Sequence, residues 1–323
     1  MFQKAPINPI SPVSGKNAWT VAREVANSTA ELLLEWWPKL KEISDKGQND
    51  IVTNVDKAAE TLIKSELTKH FPAHGFYGEE FKGDQVETGF VWVVDPIDGT
   101  RNYATGIPYF SIVIALAKDG EVLTGVNYDP LRGEMFHAAL GQGAFLGEEQ
   151  IKVSSRDSLD GAIIGTDVAY DHDNGTEKTL QMLKKLWPRL SSVRMMGSSA
   201  LGISYAASGR LDIYVHYSLQ PYDQAAGILL IQEAGGVATD RNGYRAGLHS
   251  DGIIAASPSL HQNFINSRKG IRWKNLSRWP NLSVKNNMVV RGFWLLNQNQ
   301  FCGILCRTSF IVETSGNGVN MPL

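Results

Sequence analysis

Two aspartates, Asp95 and Asp98, follow an apolar run at residues 90–94 that has the composition of a short β-strand. Proteins of the α/β class usually bind ligands at the carboxyl ends of such strands. Carboxylates three residues apart repel each other unless a cation lies between them. Oxygen ligands suit a hard ion such as Mg²⁺ better than zinc or copper. The spacing therefore indicates a candidate metal site, although Asp, Pro and Gly are also common turn residues.

Gly99 and Thr100 come directly after these two aspartates. If the chain turns into a helix at this point, the first N–H groups of that helix have no partner within it. Such groups can bind the oxygens of a phosphate. The pair of residues therefore adds a candidate phosphate site to the candidate metal site.

Three further acidic residues give weaker signals. Glu79 follows Gly78, and for this motif taken alone an ordinary solvated loop is the favoured explanation. Asp223 and Asp56 each lie in the first turn of an expected helix. An acid at that position can simply cap the helix or complement its dipole. Each of these residues leaves both interpretations open.

Taken together, the acidic residues lie in motifs that resemble the inositol monophosphatase family. The Asp-Pro-Ile-Asp-Gly-Thr motif at residues 95–100 is the most specific of them. The motifs occur in the family's order and at about its separations, and the resemblance covers roughly residues 17–268. The stretches that carry it are residues 49–56, 78–80, 92–103, 221–227 and 233–236.

The resemblance implies a Mg²⁺-dependent phosphatase with two or three ions in each active site. It implies that the ions are bound by the side chains or carbonyl groups of Glu79, Asp95, Ile97, Asp98 and Asp223. Thr100, supported by Asp56, would orient the attacking water, and Glu79 would also take part in catalysis. The expected reaction is hydrolysis of inositol monophosphate, or of a related small sugar or polyol phosphate, by metal-activated water.

The substrate side departs from the family pattern in two places. The resemblance assigns substrate contacts to Gly99, Thr100, Gly197, Ser198, Ser199 and His216. His216 stands seven residues before Asp223, where inositol-specific members usually have a Glu. It is either a strand-end residue that faces solvent or a changed sugar-side contact that, when cationic, pairs with a second anionic group. Tyr222 replaces the usual Trp, which we expect to alter packing more than chemistry.

Two kinds of rival function stay open at this point. The first is another enzyme of the superfamily: a fructose-1,6-bisphosphatase, a histidinol-phosphatase or a 3′-phosphoadenosine-5′-phosphate phosphatase. Asn102 and Tyr103 after Thr100 and Arg101 are nearer the Thr-Asn-Phe of inositol and sugar phosphatases than the Lys-Glu-Phe of the nucleotide enzymes. The second is a catalytically inactive binding or scaffold protein.

The elements expected around these residues form a layered chain. Periodicity predicts helices at residues 17–43 and 55–70, then strand-like runs joined by turns up to residue 146. From residue 161 onwards strands and helices alternate. The resemblance implies an α/β (α+β) fold with alternating α/β/α/β/α layers, of the inositol monophosphatase and fructose-1,6-bisphosphatase type. We expect a loose arm at 1–15, halves at 16–160 and 161–268, and a basic tail at 269–323 that is disordered or non-native.

Composition limits the partners and the location of the protein. The chain has 323 residues, 43% of them hydrophobic, and a formal net charge of −2. It therefore has enough apolar residues for a core, and it has no broad positive charge to attract nucleic acid. No run approaches the ~20 apolar residues of a membrane span, and no opening segment has the features of a secretion signal. We expect a cytoplasmic protein that, by the family resemblance, is a homodimer and is inhibited by lithium.

Overall fold

The computed structural model describes residues 8–47, 50–81, 83, 88–168 and 175–268. In this part the chain forms seven helices and fourteen strands. The predicted tail at 269–323 lies outside the described residues. The described end of the predicted loose arm is anchored, because the buried Ser11 hydroxyl donates to the carbonyl of His70 at 2.9 Å.

The first helix, α1, is shorter than the periodicity predicts. It begins at Ala18, where the side chain of Asn17 accepts a hydrogen bond from Thr20 N at 2.8 Å, and it ends at Trp36. Pro38 follows and has no N–H group with which to continue the helix. The predicted extension to residue 43 is therefore wrong. Beyond it lie two short antiparallel strands, β1 (Ile43–Gly47) and β2 (Asp50–Thr53).

Six further helices follow in the described part of the chain. The predicted helix at 55–70 is present as α2, while α4 and α7 were not predicted. The helices are α2 (Asn54–His70), α3 (Thr100–Thr105), α4 (Gly175–Leu186), α5 (Ser199–Ala207), α6 (Pro221–Glu233) and α7 (Pro258–Arg268).

A large sheet contains seven strands in the order β3-β4-β5-β6-β7-β8-β9. The β3–β4 pair is parallel and every other pair is antiparallel. The strand-like runs predicted up to residue 146 thus form an antiparallel meander. The strands are β3 (Gly75–Gly78), β4 (Phe90–Asp98), β5 (Ser111–Lys118), β6 (Glu121–Asp129), β7 (Glu134–Ala139), β8 (Gly143–Leu146) and β9 (Glu149–Gln150).

A smaller sheet contains five strands in the order β11-β10-β12-β14-β13. Strand β10 runs parallel to β11 and β12, and the other two pairs are antiparallel. The carboxyl ends of the three parallel strands therefore meet at one edge. The strands are β10 (Ile163–Thr166), β11 (Ser192–Arg194), β12 (Ile213–His216), β13 (Val237–Thr239) and β14 (Ile253–Ala256).

Alternating side chains divide the core into three apolar clusters and the fold into five layers. On β4, Trp92 and Val94 pack against α1 and α2, whereas Val91 and Val93 face α5 and α6. Helices α5 and α6 in turn pack on the inner face of the small sheet. Helices α4 and α7 cover its outer face. The order is α/β/α/β/α, as the family resemblance implies.

Helix α6 lies unusually close to the large sheet. A Cβ on Gly125 of β6 would come within 2.7 Å of the Cα of Ala226. The neighbouring Gly227 lies equally close to α5, since its Cβ would meet the side chain of Ile203 at 2.7 Å. These glycines set the position of α6, which carries Asp223 at its first turn.

No helix among the described residues has the length and apolar character that crossing a membrane requires.

The variant Gly125→Ala tests the close packing of α6. We expect the free energy of unfolding to fall by about 1–3 kcal/mol, because the new methyl group meets backbone that cannot move aside. Gly247→Ala is the matched control, since no atom lies within 4 Å of its added Cβ, and it should change stability by less than ~0.5 kcal/mol. Denaturant unfolding measures both. Equal stability of the two variants would contradict this packing.

Candidate active site

Three carboxylates converge where β4 ends and α6 begins. Asp95 and Asp98 lie at the end of β4, and Asp223 lies in the first turn of α6. One carboxylate oxygen from each lies within 4.8 Å of the other two. The side chains of Asp95 and Asp98 are buried, with relative exposures of 2% and 7%. The sequence-predicted aspartates therefore form one cluster.

An irregularity in β4 allows this convergence. In a regular strand, residues three apart point to opposite faces of the sheet. The register between β4 and β5 shifts between Asp95 and Asp98, and such a shift re-aims side chains. The amide of Ile97 donates to Asp95 Oδ1 at 2.9 Å, which fixes the turn between the two acids.

The electrostatics of the cluster are unfavourable without a cation. Burial raises the pKa of Asp95 well above its usual value, and the charges of Glu79, Asp98 and Asp223 raise it further. The Glu79 carboxyl group also shares a hydrogen bond with Asp95. The structure thus brings Glu79 to the predicted place, beside the three aspartates.

Glu60, which no sequence motif marked, holds the loop that carries Glu79 by hydrogen bonds. Its fully buried carboxylate accepts hydrogen bonds from the amides of Glu80 at 2.8 Å and Phe81 at 2.9 Å. A Cβ on Gly78 would lie 2.0 Å from Glu60 Oε1, so only glycine leaves room for this carboxylate. Glu60 and Gly78 together fix the backbone on both sides of Glu79.

Thr100 and Asp56 are hydrogen-bonded, as their predicted roles require. Thr100 Oγ1 lies 3.0 Å from Asp56 Oδ1 and 3.0 Å from the carbonyl oxygen of Ile97. The other oxygen of Asp56 accepts from the amide of Thr53 at 2.9 Å and from its hydroxyl. Asp56 thus completes a capping box with Thr53 at the start of α2. Asp56 therefore caps α2 and also forms a hydrogen bond with Thr100.

Asp98 is held by donors from the start of α5. The hydroxyl of Ser198, the hydroxyl and amide of Ser199 and the amide of Ala200 all donate to its carboxylate. Ser111 of β5 adds a longer bond at 3.3 Å. Burial raises the pKa of Asp98, whereas these hydrogen bonds act in the opposite direction. In this structure the predicted substrate residues Ser198 and Ser199 therefore position a metal-ligand candidate.

Two glycines and one asparagine join this segment to the motif at 95–100. Gly99 and Gly197 have left-handed backbones, with φ of 93° and 78°, and a Cβ on Gly99 would lie 3.0 Å from the carbonyl oxygen of Gly197. The side-chain amide of Asn102 donates to the carbonyls of Tyr109 at 2.8 Å and Met196 at 2.7 Å. The predicted loop therefore lies against the predicted phosphate site.

Asp223 also has two roles. Its Oδ2 accepts from the amide of Gln220 at 2.7 Å, which completes a capping box at the start of α6. Its carboxylate is also part of the acidic cluster. The preceding Tyr222 stacks on Tyr77, with ring centroids 6.3 Å apart.

His216 is a buried residue at the end of β12, so the solvent-facing interpretation is wrong. Its Nδ1 accepts a hydrogen bond from the amide of Ser218 at 3.2 Å, which leaves the proton of the neutral ring on Nε2. Burial lowers the pKa of His216 to about 4. A partly cationic ring on the acidic side of neutrality is therefore disfavoured, and the neutral ring has no charge to pair with a second anion.

Asp167 is a second acidic residue that the sequence analysis missed. It directly follows β10, and its carboxylate accepts from the amide of Gly197 at 2.9 Å and the hydroxyl of Tyr214 at 3.1 Å. Burial raises its pKa to about 6, and the nearby charge of Asp98 contributes. Its position after a predicted strand was a usable signal, the same one that marked Asp95.

The sequence matches the inositol monophosphatase family over residues 16–272. It is 37% identical to the Nus factor SuhB of Salmonella typhimurium, over 75% of this chain and 91% of that protein. It is also 37% identical to inositol monophosphatase 1 of Solanum lycopersicum, over 76% and 92% of the two chains.

Solved structures agree with these sequence matches. The extragenic suppressor protein suhB of Bartonella henselae superposes with a TM-score of 0.74 at 33% identity, over 78% of this chain and 98% of that one. The fold is thus shared with these relatives. The chain belongs to the inositol monophosphatase family and is a phosphatase that hydrolyses phosphoric monoesters.

Proposed function

We propose that this protein is a Mg²⁺-dependent phosphatase that hydrolyses inositol monophosphate or a related small sugar or polyol phosphate. The observation that carries the proposal is the convergence of Asp95, Asp98 and Asp223 within 4.8 Å, with Glu79 beside them. Four acids in one partly buried site are costly unless a cation offsets their repulsion. The same arrangement argues against an inactive scaffold, which would not need to retain it.

The donor set suits magnesium. All of its members are oxygen atoms. Two or three ions would be held by the carboxylates of Glu79, Asp95, Asp98 and Asp223 and by the carbonyl of Ile97. Bound Mg²⁺ supplies positive charge to the phosphoryl oxygens and lowers the pKa of water. A bound cation would lower the pKa of Asp95, because the charges that raise it would then be offset.

Thr100 and Asp56 would position and deprotonate the attacking water. Thr100 Oγ1 can accept a proton from water while it passes its own proton to Asp56 Oδ1, 3.0 Å away. Asp56 is held for this task by the amide and hydroxyl of Thr53. The proton thus moves from water to Thr100 and from Thr100 to a buried carboxylate.

The attacking water and the leaving group would lie on opposite sides of the phosphorus atom. The amides of Gly99 and Thr100, at the start of α3, can donate to phosphoryl oxygens. Asp223 would hold a second water that donates a proton to the leaving oxygen. The hydroxide left behind would regain a proton from solvent, and Asp56 would release to solvent the proton it has taken up. The reaction therefore depends on positioning and charge, as phosphoryl transfer generally does.

The choice of substrate rests on the family and on the residues beside the site. The Solanum relative carries the name of an inositol monophosphatase, whereas the Salmonella relative is named as a Nus factor. The bisphosphatase, histidinol-phosphatase and nucleotide-phosphatase alternatives are distinguished by kcat/KM for a panel of phosphate monoesters. Homodimer formation, lithium inhibition and a cytoplasmic location remain predictions.

Glu60 acts through Glu79 in this proposal. Its carboxylate holds the two amides that follow Glu79, and no part of it needs to touch the ion. Loss of these two hydrogen bonds would let the Glu79 loop move and would weaken metal binding. Partners of metal ligands typically affect metal affinity about 10- to 100-fold.

Asp95→Asn tests the proposed function. We expect kcat at saturating Mg²⁺ to fall at least ~10²-fold, since the amide loses the charge that binds the cation, and we expect no activity without a divalent ion. Asp129→Asn is the control: this acid is also buried but pairs with Arg132 at 2.7 Å, outside the cluster. Phosphate release measures both variants. Wild-type turnover by Asp95→Asn would refute the site assignment.

Glu60→Gln tests the support of Glu79. The side-chain NH₂ of Gln would face one of the two amides, so we expect Mn²⁺ affinity to fall about tenfold. Calorimetric titration of the substrate-free protein with Mn²⁺ measures this without reliance on turnover. Glu66→Gln, on the same helix but outside the site, is the control. Unchanged affinity in Glu60→Gln would show that Glu79 holds its position unaided.

A further inference from the structure

Asp167 and His216 lie at the carboxyl ends of two neighbouring parallel strands, Asp167 directly after β10 and His216 as the last residue of β12. Thr166 of β10 pairs in register with Val215 of β12. The residues that come next, Asp167 after Thr166 and His216 after Val215, therefore lie at the carboxyl edge of the small sheet. Ligands of α/β proteins bind at such edges.

The Asp167 side chain lies on the inner side of this edge. Strand residues alternate between faces, and Val215 belongs to the outer cluster under α4 and α7, whereas Tyr214 belongs to the inner one. The Tyr214 hydroxyl donates to Asp167 at 3.1 Å, so both lie on the inner side. That side faces α5, whose first residues hold Asp98, and α6, which carries Asp223.

Asp167 has only neutral partners in the described part of the chain. Its carboxylate accepts from the amides of Gly197 and Met196 and from the hydroxyl of Tyr214. No Lys or Arg in the described residues forms an ion pair with it. A partly buried carboxylate without a cation is unfavourable for folding alone. A carboxylate has about four acceptor positions, so these three donors leave room for a further one.

The surrounding groups favour a hydroxyl as that donor. Asp98 lies near enough to raise the pKa of Asp167, so a second acid is disfavoured here. His216, on the neighbouring strand, is neutral near pH 7 and presents an Nε2–H donor rather than a positive charge. A hydroxyl can donate to Asp167 and still accept from another group.

We propose that Asp167 is a specificity-determining residue that accepts hydrogen bonds from hydroxyl groups on the alcohol part of the substrate. This inference rests on the proposed phosphatase function and deepens it. The favoured substrates are phosphate monoesters of polyols with free hydroxyls close to the esterified carbon. Esters of alcohols or phenols without further hydroxyls gain nothing from Asp167.

Asp167→Asn, assayed with two substrates, tests this role. The amide oxygen of Asn can still accept from Gly197, so the loop keeps its anchor while the charged acceptor is lost. The readout is kcat/KM for inositol 1-phosphate divided by kcat/KM for 4-nitrophenyl phosphate. We expect this ratio to fall about tenfold or more, the usual effect of a lost hydrogen bond to a charged group.

Tyr214→Phe separates recognition from anchoring. It removes a hydrogen bond to Asp167 but keeps the carboxylate, so its ratio should stay within about twofold of the wild type. The inference alone would be overturned if Asp167→Asn lowered kcat/KM for both substrates by the same factor. It would also be overturned if Tyr214→Phe lowered the ratio as much as Asp167→Asn does. No turnover of either substrate by the wild-type protein with Mg²⁺ would overturn the proposed function, and the inference with it.

Discussion

The mutual repulsion of acidic side chains is the constraint on which the site depends. Asp95, Asp98 and Asp223 lie within 4.8 Å of one another, and Asp95 and Asp98 are buried. The raised pKa of Asp95 expresses this repulsion directly. The arrangement persists because the chain holds each acid separately: Asp98 by the start of α5, Asp223 by its own capping box, and the Glu79 loop by Glu60. A bound divalent cation would offset this repulsion, and that relief would favour its binding.

The fold makes these contacts possible at points where two backbone segments approach closely. Gly99 and Gly197 let the end of β4 and the segment before α5 touch, and Gly125 lets α6 lie against the large sheet. A side chain at any of these positions would separate the elements that carry the acids. The five layers therefore serve the site as well as the core, because α5 and α6 are packed between both sheets.

Much of this was predictable from local sequence. The fold class, the strand before Asp95 and the helix at 55–70 followed from patterns within a few residues, and the acids were assigned through motifs. The contacts of Glu60, Asn102 and Asp167 could not be predicted, because their partners lie 20, 94 and 30 residues away along the chain. The overlong first helix was a local error, since apolar periodicity continued past the proline that ends the helix.

Anomalous diffraction from crystals grown with Mn²⁺ tests the central claim most directly. Mn²⁺ prefers the same oxygen ligands as Mg²⁺ and can be located from its anomalous signal. If the cluster is a metal centre, an anomalous peak will lie in contact with the carboxylates of Asp95, Asp98 and Asp223. No peak at this position, with Mn²⁺ bound elsewhere or absent, would contradict the claim that a cation offsets the repulsion of these acids.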